Sequence, residues 1–367
     1  MSAARPQPPD LGDLEAATPE QRRHRLLAAC RELGFAHAGI CSARRSDRES
    51  ELREWIDAGR HGSMHYLAER VDAMIDPDHV LEGARSIICL ADRYHGGRDR
   101  IPEEGPARGR IARYARGRDY HDVLRRRLDL LARAIASACP QSASRGVVDT
   151  APLMEREHAT RAGLGLIGKH TLVIHPGEGS WLLLGEVLTT LEIEPDHPID
   201  RPDPCGSCTR CIDACPTGAI EPFKVDGSRC LAYTTIEHRE AVDPDLHEAT
   251  GDWLFGCDVC QEVCPHNQPT RGKRGLEVLE AYDRRRDGFD LLEVLGWREE
   301  DRREAFITSA LKRAKLPMFK RNAVICAGNA LQKRADPALE ARLVEIAEDP
   351  EEDPLVTETA RTVLESL

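Results

Sequence analysis

Cysteine spacing limits what this chain can fold into more than any other feature. Cys205, Cys208, Cys211 and Cys215-Pro216 follow C-x2-C-x2-C-x3-C-P. Cys257, Cys260 and Cys264-Pro265 repeat its end as C-x2-C-x3-C-P, and Cys230 stands alone between the two runs. A [4Fe–4S] cube needs four thiolates, and a tight loop with two residues between cysteines aims three of them inward. In two-cluster proteins of bacterial type the cysteine before the proline ligates the other cluster. That rule applies here if Cys230 replaces the first cysteine missing from the second run. One cube then takes Cys205, Cys208, Cys211 and Cys264, and the other Cys215, Cys230, Cys257 and Cys260. Zinc sites use paired C-x2-C loops without the third cysteine and the Cys-Pro ending, and disulfides do not fit so dense a spacing. The pattern describes a protein that moves single electrons.

At 367 residues the chain has room for two or three domains. Its formal charge of −12 requires that any nucleic-acid partner be met by a local basic patch. Cys30, Cys41, Cys89, Cys139 and Cys326 lie outside the cluster region in apolar settings and read as buried free thiols of a reducing compartment. No apolar run approaches the roughly 20 residues of a membrane span. Arg22-Arg23 is followed by a charged amphipathic stretch where an export signal would need an apolar one. The expectation is a cytoplasmic protein with no membrane contact.

Along the chain, residues 1–17 read as a disordered lead-in. Thr18, Pro19 and Gln21 form a capping box with proline at the first helical position, and Gly34 stops that helix. Phe35 to Cys41 reads as a strand, and Ser46 with Glu49 as the cap of a second helix facing inward through Leu52, Trp55 and Ile56. Ser86 to Ala91 is an apolar run suited to a central strand, and residues 119–138 carry helical spacing. Further strands are expected at Gly146 to Asp149, His170 to Ile174 and Trp181 to Thr190. The interleaving predicts an α/β domain over residues 18–195. A proline-punctuated linker, Pro198 to Pro204, leads into a ferredoxin-like two-cluster domain over 196–270. Residues 271–367 read as an all-α domain with HEAT-like helical hairpins, two of whose helices start at Asp336-Pro337 and Asp353-Pro354.

Gly163-Leu-Gly165-Leu-Ile-Gly168 matches G-x-G-x-x-G, but a dinucleotide site needs a strand before it and a helix after it. Here the order is inverted, so these glycines read as a turn that lets a ligand approach the backbone. Asp149 ends an apolar run ahead of Thr150-Ala-Pro152. A carboxyl there can be a proton donor, or it can cap a helix or hold a salt bridge. Arginines 108 to 127, interleaved with Tyr114 and Tyr120, form one basic segment, and Lys312, Arg313, Lys315, Lys320 and Arg321 form a second. Two dense basic segments in an acidic chain favour phosphate contacts over a merely solvated face. The cobalamin histidine signature Asp-x-His-x-x-Gly is half met by Asp119-Tyr-His121, with Leu124 in the glycine place, so a lower-ligand histidine is not supported.

These stretches together resemble the epoxyqueuosine reductase family of iron–sulfur and cobalamin enzymes. The resemblance rests on residues 113–121 (RYARGRDYH), 148–156 (VDTAPLMER), 163–169 (GLGLIGK), 179–186 (GSWLLLGE) and 229–238 (RCLAYTTIEH), with both cysteine runs, Lys312-Arg313 and Arg321-Asn322. It spans about residues 19 to 335. It implies reduction of an epoxide on the modified guanosine at the tRNA wobble position, with two [4Fe–4S] clusters and cobalamin as cofactors. It also implies Asp149 as the proton donor, and Arg113, Tyr120, His121, Asp149, Gly165, Gly168, Lys169, Ser180 and Tyr233 as cofactor contacts. Lys312, Arg313, Arg321 and Asn322 are then expected to hold the anticodon stem-loop. An external donor such as ferredoxin, flavodoxin or a reductase would supply electrons to a monomer. Leu166 sits where the family usually has Trp, and His170 where it usually has Asn. The competing readings are a corrinoid reductive dehalogenase and an electron-transfer protein without a substrate. The second leaves Asp149 without a task.

Overall fold

The computed structural model describes residues 7–95, 105–201, 203–268, 277–283 and 285–367. The expected capping box forms: Thr18 accepts from Gln21 N, and the Gln21 side chain accepts from Thr18 N, starting the helix Pro19–Glu32. Residues 1–6 of the expected lead-in lie outside the described residues. Residues 7–17 correct it, because Leu11 and Leu14 are buried in the main core and Leu14 N donates to Ala138 O. Their apolar side chains outweigh the Pro and Asp content that suggested disorder.

Four antiparallel strands make the principal sheet, in the order His37–Ser42, Ser86–Arg93, Leu182–Thr189, Ser144–Val147. Ser86–Arg93 is central, as its apolar run predicts. Side chains alternate along it. Ile88 and Leu90 join the core beneath helices Pro19–Glu32 and Tyr120–Ala138, and Ile87, Cys89 and Ala91 join a second core beneath Glu155–Arg161. The five cysteines outside the cluster region are all buried and free, as expected.

The second helix, Glu49–Asp57, departs from expectation. Ser46 does not cap it; its hydroxyl donates to Glu157 instead. Leu52, Trp55 and Ile56 are half-buried, and Leu52 and Trp55 face a cavity rather than the core. The expected strand His170 to Ile174 is reduced to Val173–Ile174, paired with Leu166–Ile167 as a short hairpin.

A small mixed sheet was not anticipated. Arg108–Ile111 pairs in parallel with Trp253–Phe255 and antiparallel with Gly288–Asp290, joining three regions distant in sequence. The main core likewise runs from Leu11 through Leu254 and Phe255 to Val363. The boundary expected at residue 270 lies outside the described residues. The C-terminal region is helical. Leu316–Lys333 packs against Pro337–Glu348 and Pro354–Glu365, which Asp336 and Asp353 cap, each with proline at the first turn. No helix among the described residues is long and apolar enough to cross a membrane.

Candidate active site

The cluster-region cysteines fall into two neighbourhoods. Burial raises the Cys211 thiol, and Cys205, Cys264 and Cys208 raise it further. Cys264 is raised by burial and then by Cys205 and Cys208. Burial, Cys230 and Cys215 push Cys257 up to about 12, and burial, Cys257 and Cys230 raise Cys260. These thiols thus act on one another mainly within the two sets, with Cys211 also raising Cys260. Backbone amides already face the sulfurs: Lys169 N lies 3.3 Å from Cys205 Sγ, and Ala219 N lies 3.3 Å from Cys215 Sγ. Such N–H···S bonds stabilise and tune cluster thiolates.

The second neighbourhood forms one wall of a cavity of about 480 Å³, where Cys215, Cys230, Cys257 and Cys260 line the space together with Tyr114, Tyr120, Asp149, Glu155, His170 and Ser180. A neighbouring cavity of about 700 Å³ shares Asp149, Glu155 and Arg156 with it. Leu52, Trp55, Tyr66, Met74 and Phe223 give the second space an apolar wall, and Arg48, Arg60 and Arg70 border it. Apolar walls with a few inward polar groups are the make-up of a large-ligand site. His170 is buried; its Nδ1 accepts from Leu172 N at 3.2 Å, and its Nε2 has no partner. Burial lowers its pKa to about 4, so the neutral ring presents an unpaired Nε2–H.

Asp149 sits at the mouth where the two cavities meet. Tyr120 donates its hydroxyl to Asp149 Oδ2, and His121 Nε2 lies 3.0 Å from Asp149 Oδ1. His121 Nδ1 is 2.7 Å from Asp119 Oδ1, and Lys312 Nζ is 2.5 Å from Asp119 Oδ2. Asp119 also caps the long helix by accepting from His121 N, which fixes the first turn that carries Tyr120 and His121. Burial opposes a charge on His121, but the bonds and charges of Asp119 and Asp149 outweigh it and raise its pKa to about 9. Burial, with the Asp149 charge behind it, pushes Tyr120 far up, so it stays a donor. Burial and the Asp149 charge also hold Glu155 near pKa 8. Asp149 does not cap the following helix, whose N-cap is Met154, so the helix-cap alternative falls away.

Several expected contacts lie elsewhere. Gly165 and Gly168 line neither cavity. A Cβ on Gly165 would come 2.6 Å from Ile174 O, and one on Gly168 2.5 Å from Ile174 Cδ1, so these glycines admit the chain's own hairpin and not a ligand. Lys169 Nζ binds Gly206 O at 2.7 Å and Cys208 O at 3.1 Å, clamping the first cysteine loop. Tyr233 is buried outside both cavities, where its hydroxyl takes Ser63 N at 2.7 Å. Arg113 lies 3.0 Å from Asp258 and 2.6 Å from Glu262, tying the second cysteine run to the basic segment. Leu166 pairs with Ile174 in the hairpin, away from the cavities, while His170 faces one.

The expected nucleic-acid contacts divide. Arg321 is fully buried and donates to the carbonyls of His238, Glu240 and Thr234, and burial lowers its pKa to about 10. Asn322 is buried as well and binds Thr235 O and Leu254 O at 3.0 and 2.8 Å. Neither can reach a phosphate. Arg313 is exposed and pairs with Glu237. Lys312 brings the second basic segment against the start of the long helix, whose Arg125 and Arg126 are also exposed. Sequence reasoning missed Asp119 and Glu155 as site residues. Both lie inside the RYARGRDYH and VDTAPLMER stretches, but only the fold shows which way they face.

Fold and cysteine geometry together define a two-cluster iron–sulfur protein with a large internal cavity beside one cluster site. Residues 204–267 match the model of a 4Fe-4S double cluster binding domain, and residues 75–150 match that of epoxyqueuosine reductase QueG, DUF1730. Epoxyqueuosine reductase of Cyclobacterium marinum is 37% identical over 311 residues, covering 83% of this chain and 97% of that protein. Its Escherichia coli counterpart is 36% identical over 82% of this chain and 79% of that protein. The solved structure from Streptococcus thermophilus superposes with a TM-score of 0.82 at 32% identity, covering 93% of this chain and 89% of that one. A crystal structure of epoxyqueuosine reductase with an epoxyqueuosine-modified tRNA stem loop gives 0.82 at 28% identity, covering 94% and 89%. The chain belongs to the epoxyqueuosine reductase family.

Proposed function

We propose that this protein reduces epoxyqueuosine to queuosine at the wobble position of tRNA, the last step of queuosine formation. One observation carries the reading: Asp149 and its donor Tyr120 line the same cavity as Cys215, Cys230, Cys257 and Cys260, with His121 bonded to Asp149 from outside the lining. Removing the epoxide oxygen as water and leaving an alkene takes two electrons and two protons. Both supplies meet at this cavity.

The residues present fit cobalamin, through the two adjoining cavities, their apolar walls and the unpaired His170 Nε2. Bound there, cobalamin would supply a low-valent cobalt able to attack or reduce the epoxide carbon. Two cubes held by the grouped cysteines would deliver electrons singly, at potentials that reach down to about −700 mV in such clusters. The set of Cys205, Cys208, Cys211 and Cys264 stands farther from the cavity and is the entry side for an external ferredoxin, flavodoxin or reductase. Asp149 protonates the departing oxygen, and Tyr120 and His121 hold its carboxyl toward the cavity. A Bacillus subtilis epoxyqueuosine reductase structure, similar to this one with a TM-score of 0.83, has its catalytic aspartate loop swung out of the active site. Asp149 likewise lies in a turn, outside any helix or strand.

Arg118, Arg125, Arg126, Arg313 and Lys315 are exposed around the Lys312–Asp119 contact and form the surface offered to the anticodon stem-loop. The C-terminal helices are read as a HEAT-like bundle that carries part of this surface on a monomer. The division into domains at 18–195, 196–270 and 271–367 is kept as one of function. The test is anaerobic reconstitution with iron, sulfide and cobalamin, followed by incubation with epoxyqueuosine tRNA and a strong reductant. Mass analysis should show loss of one oxygen from the wobble nucleoside. No conversion by a fully loaded protein would overturn the reading.

A further inference from the structure

Lys312 belongs to an exposed basic segment, yet its ammonium is turned onto a carboxylate that is only 1% exposed. From there an unbroken line runs inward. Lys312 Nζ to Asp119 Oδ2 is 2.5 Å, Asp119 Oδ1 to His121 Nδ1 is 2.7 Å, and His121 Nε2 to Asp149 Oδ1 is 3.0 Å. We propose that Lys312 is a positioning residue of the proton-delivery machinery, acting through Asp119 to set how readily His121 passes a proton to Asp149. The proposal rests on the reading of Asp149 as the acid.

The reaction needs two protons for one oxygen. The epoxide takes two electrons and two protons to give the alkene and one water. One proton is transferred as the first carbon–oxygen bond breaks, and the other as the second breaks and water leaves. The clusters supply the electrons. Asp149 carries one proton at a time, so it must be refilled between the two transfers, and His121 is the group already bonded to it with a proton to give. Asp119 holds that proton on His121. The Lys312 cation weakens this hold by offsetting the Asp119 charge.

The groups that face His121 are Asp119, Asp149 and, by stacking at 4.0 Å, Tyr120. Glu155 and Arg313 act on the line through Asp149, Tyr114 through Asp149 and Asp119, and Arg125 and Asp122, the latter 3.9 Å from Lys312 Nζ, through Lys312. The signs of two substitutions are therefore opposite. Lys312→Met leaves Asp119 uncompensated and ties the proton more tightly to His121. Asp119→Asn keeps the helix cap, since Asn caps about as well as Asp, and loosens the proton.

The experiment is a titration of the His121 ring by NMR in histidine-labelled, reconstituted holoenzyme, alongside the pH dependence of single-turnover reduction. His121 should titrate near 9 in the unsubstituted protein. Lys312→Met should move that midpoint, and the alkaline limb of the rate, upward by on the order of one pH unit, and Asp119→Asn should move both downward. Lys312→Arg should restore the original values. Midpoints unmoved in both variants would overturn the proposal. So would a Lys312→Met protein that changes only the salt dependence of tRNA binding, by about one unit of slope, because that marks a phosphate contact. The NMR arm reads the line even if the protein reduces no epoxyqueuosine, so failure of the functional reading and failure of this one are distinguishable.

Discussion

His121 shows how much of a site a residue name leaves unsaid. The sequence placed His121 and Tyr120 beside the cofactor, because RYARGRDYH marks them without giving a direction. The structure turns both onto Asp149, and the reason is the cap: Asp119 fixes the first helical turn and so aims the two rings. Asp149 was legible as a carboxyl after an apolar run; the helix-cap alternative fell once Met154 was seen to cap the next helix, and the salt-bridge one is present as its contact with His121. Glu155 was invisible as a site residue, since its place in both cavities depends on how the helix Glu155–Arg161 meets the sheet. The raised pKa of His121 carries a stability consequence. Its folded value, about 9, lies above the ordinary histidine value of 6.5. The protonated ring therefore stabilises the fold fully below about pH 6.5, and that contribution is lost as pH rises through about 9. Denaturant unfolding of the holoenzyme should show stability falling across this window, and His121→Gln should flatten the fall. An unchanged slope in the variant would contradict the assigned charge.

At the level of elements, long periodic segments were legible and short ones were not. The capping box at Thr18, the central strand Ser86–Arg93 and the helix Tyr120–Ala138 announce themselves through local pattern. The sheet joining Arg108–Ile111, Trp253–Phe255 and Gly288–Asp290 has strands of three or four residues, too short for alternation to register, and partners far away in sequence. The glycine-rich stretch misled for a related reason, because the close neighbour of Gly165 is the chain itself. Arg321 is the most instructive case. Lys320, Arg321 and Asn322 read as a charged face, but Met318 to Asn329 are all buried, so the helix is enclosed and its polar residues must bond inward. Arg321 serves as a peg for the Thr234–Glu240 segment that follows Cys230. Arg321→Ala strands three carbonyl acceptors and should lower stability by about 3 kcal/mol. The salt dependence of tRNA binding should stay unchanged in that variant, and a slope reduced by one unit would return Arg321 to the phosphate-binding surface.

Across the whole molecule the chain is one packed body more than three linked ones, since a single core reaches from Leu11 to Val363. Composition gave no hint of this; it depends on which apolar faces meet. The cysteine pattern, by contrast, made the double-cluster domain legible, because cluster binding is written into loop spacing, and residues 204–267 match such a domain. Cys230 completes the group beside the cavity, so Cys230→Ala should lose roughly half the iron, on the four-ligand requirement of a cube. Full iron and sulfide content in that variant would remove Cys230 from the ligand set. Electron and proton supply converge only if Asp149 is the acid, and one comparison isolates that role: single-turnover conversion of epoxyqueuosine tRNA by the unsubstituted protein and by Asp149→Asn, both fully loaded, followed by wobble-nucleoside mass. The unsubstituted protein should yield queuosine. The variant should keep its clusters, its cofactor spectrum and its tRNA affinity while conversion falls about 10²–10⁴-fold, the usual worth of general acid catalysis. Conversion at the full rate by Asp149→Asn would contradict the proposed centre.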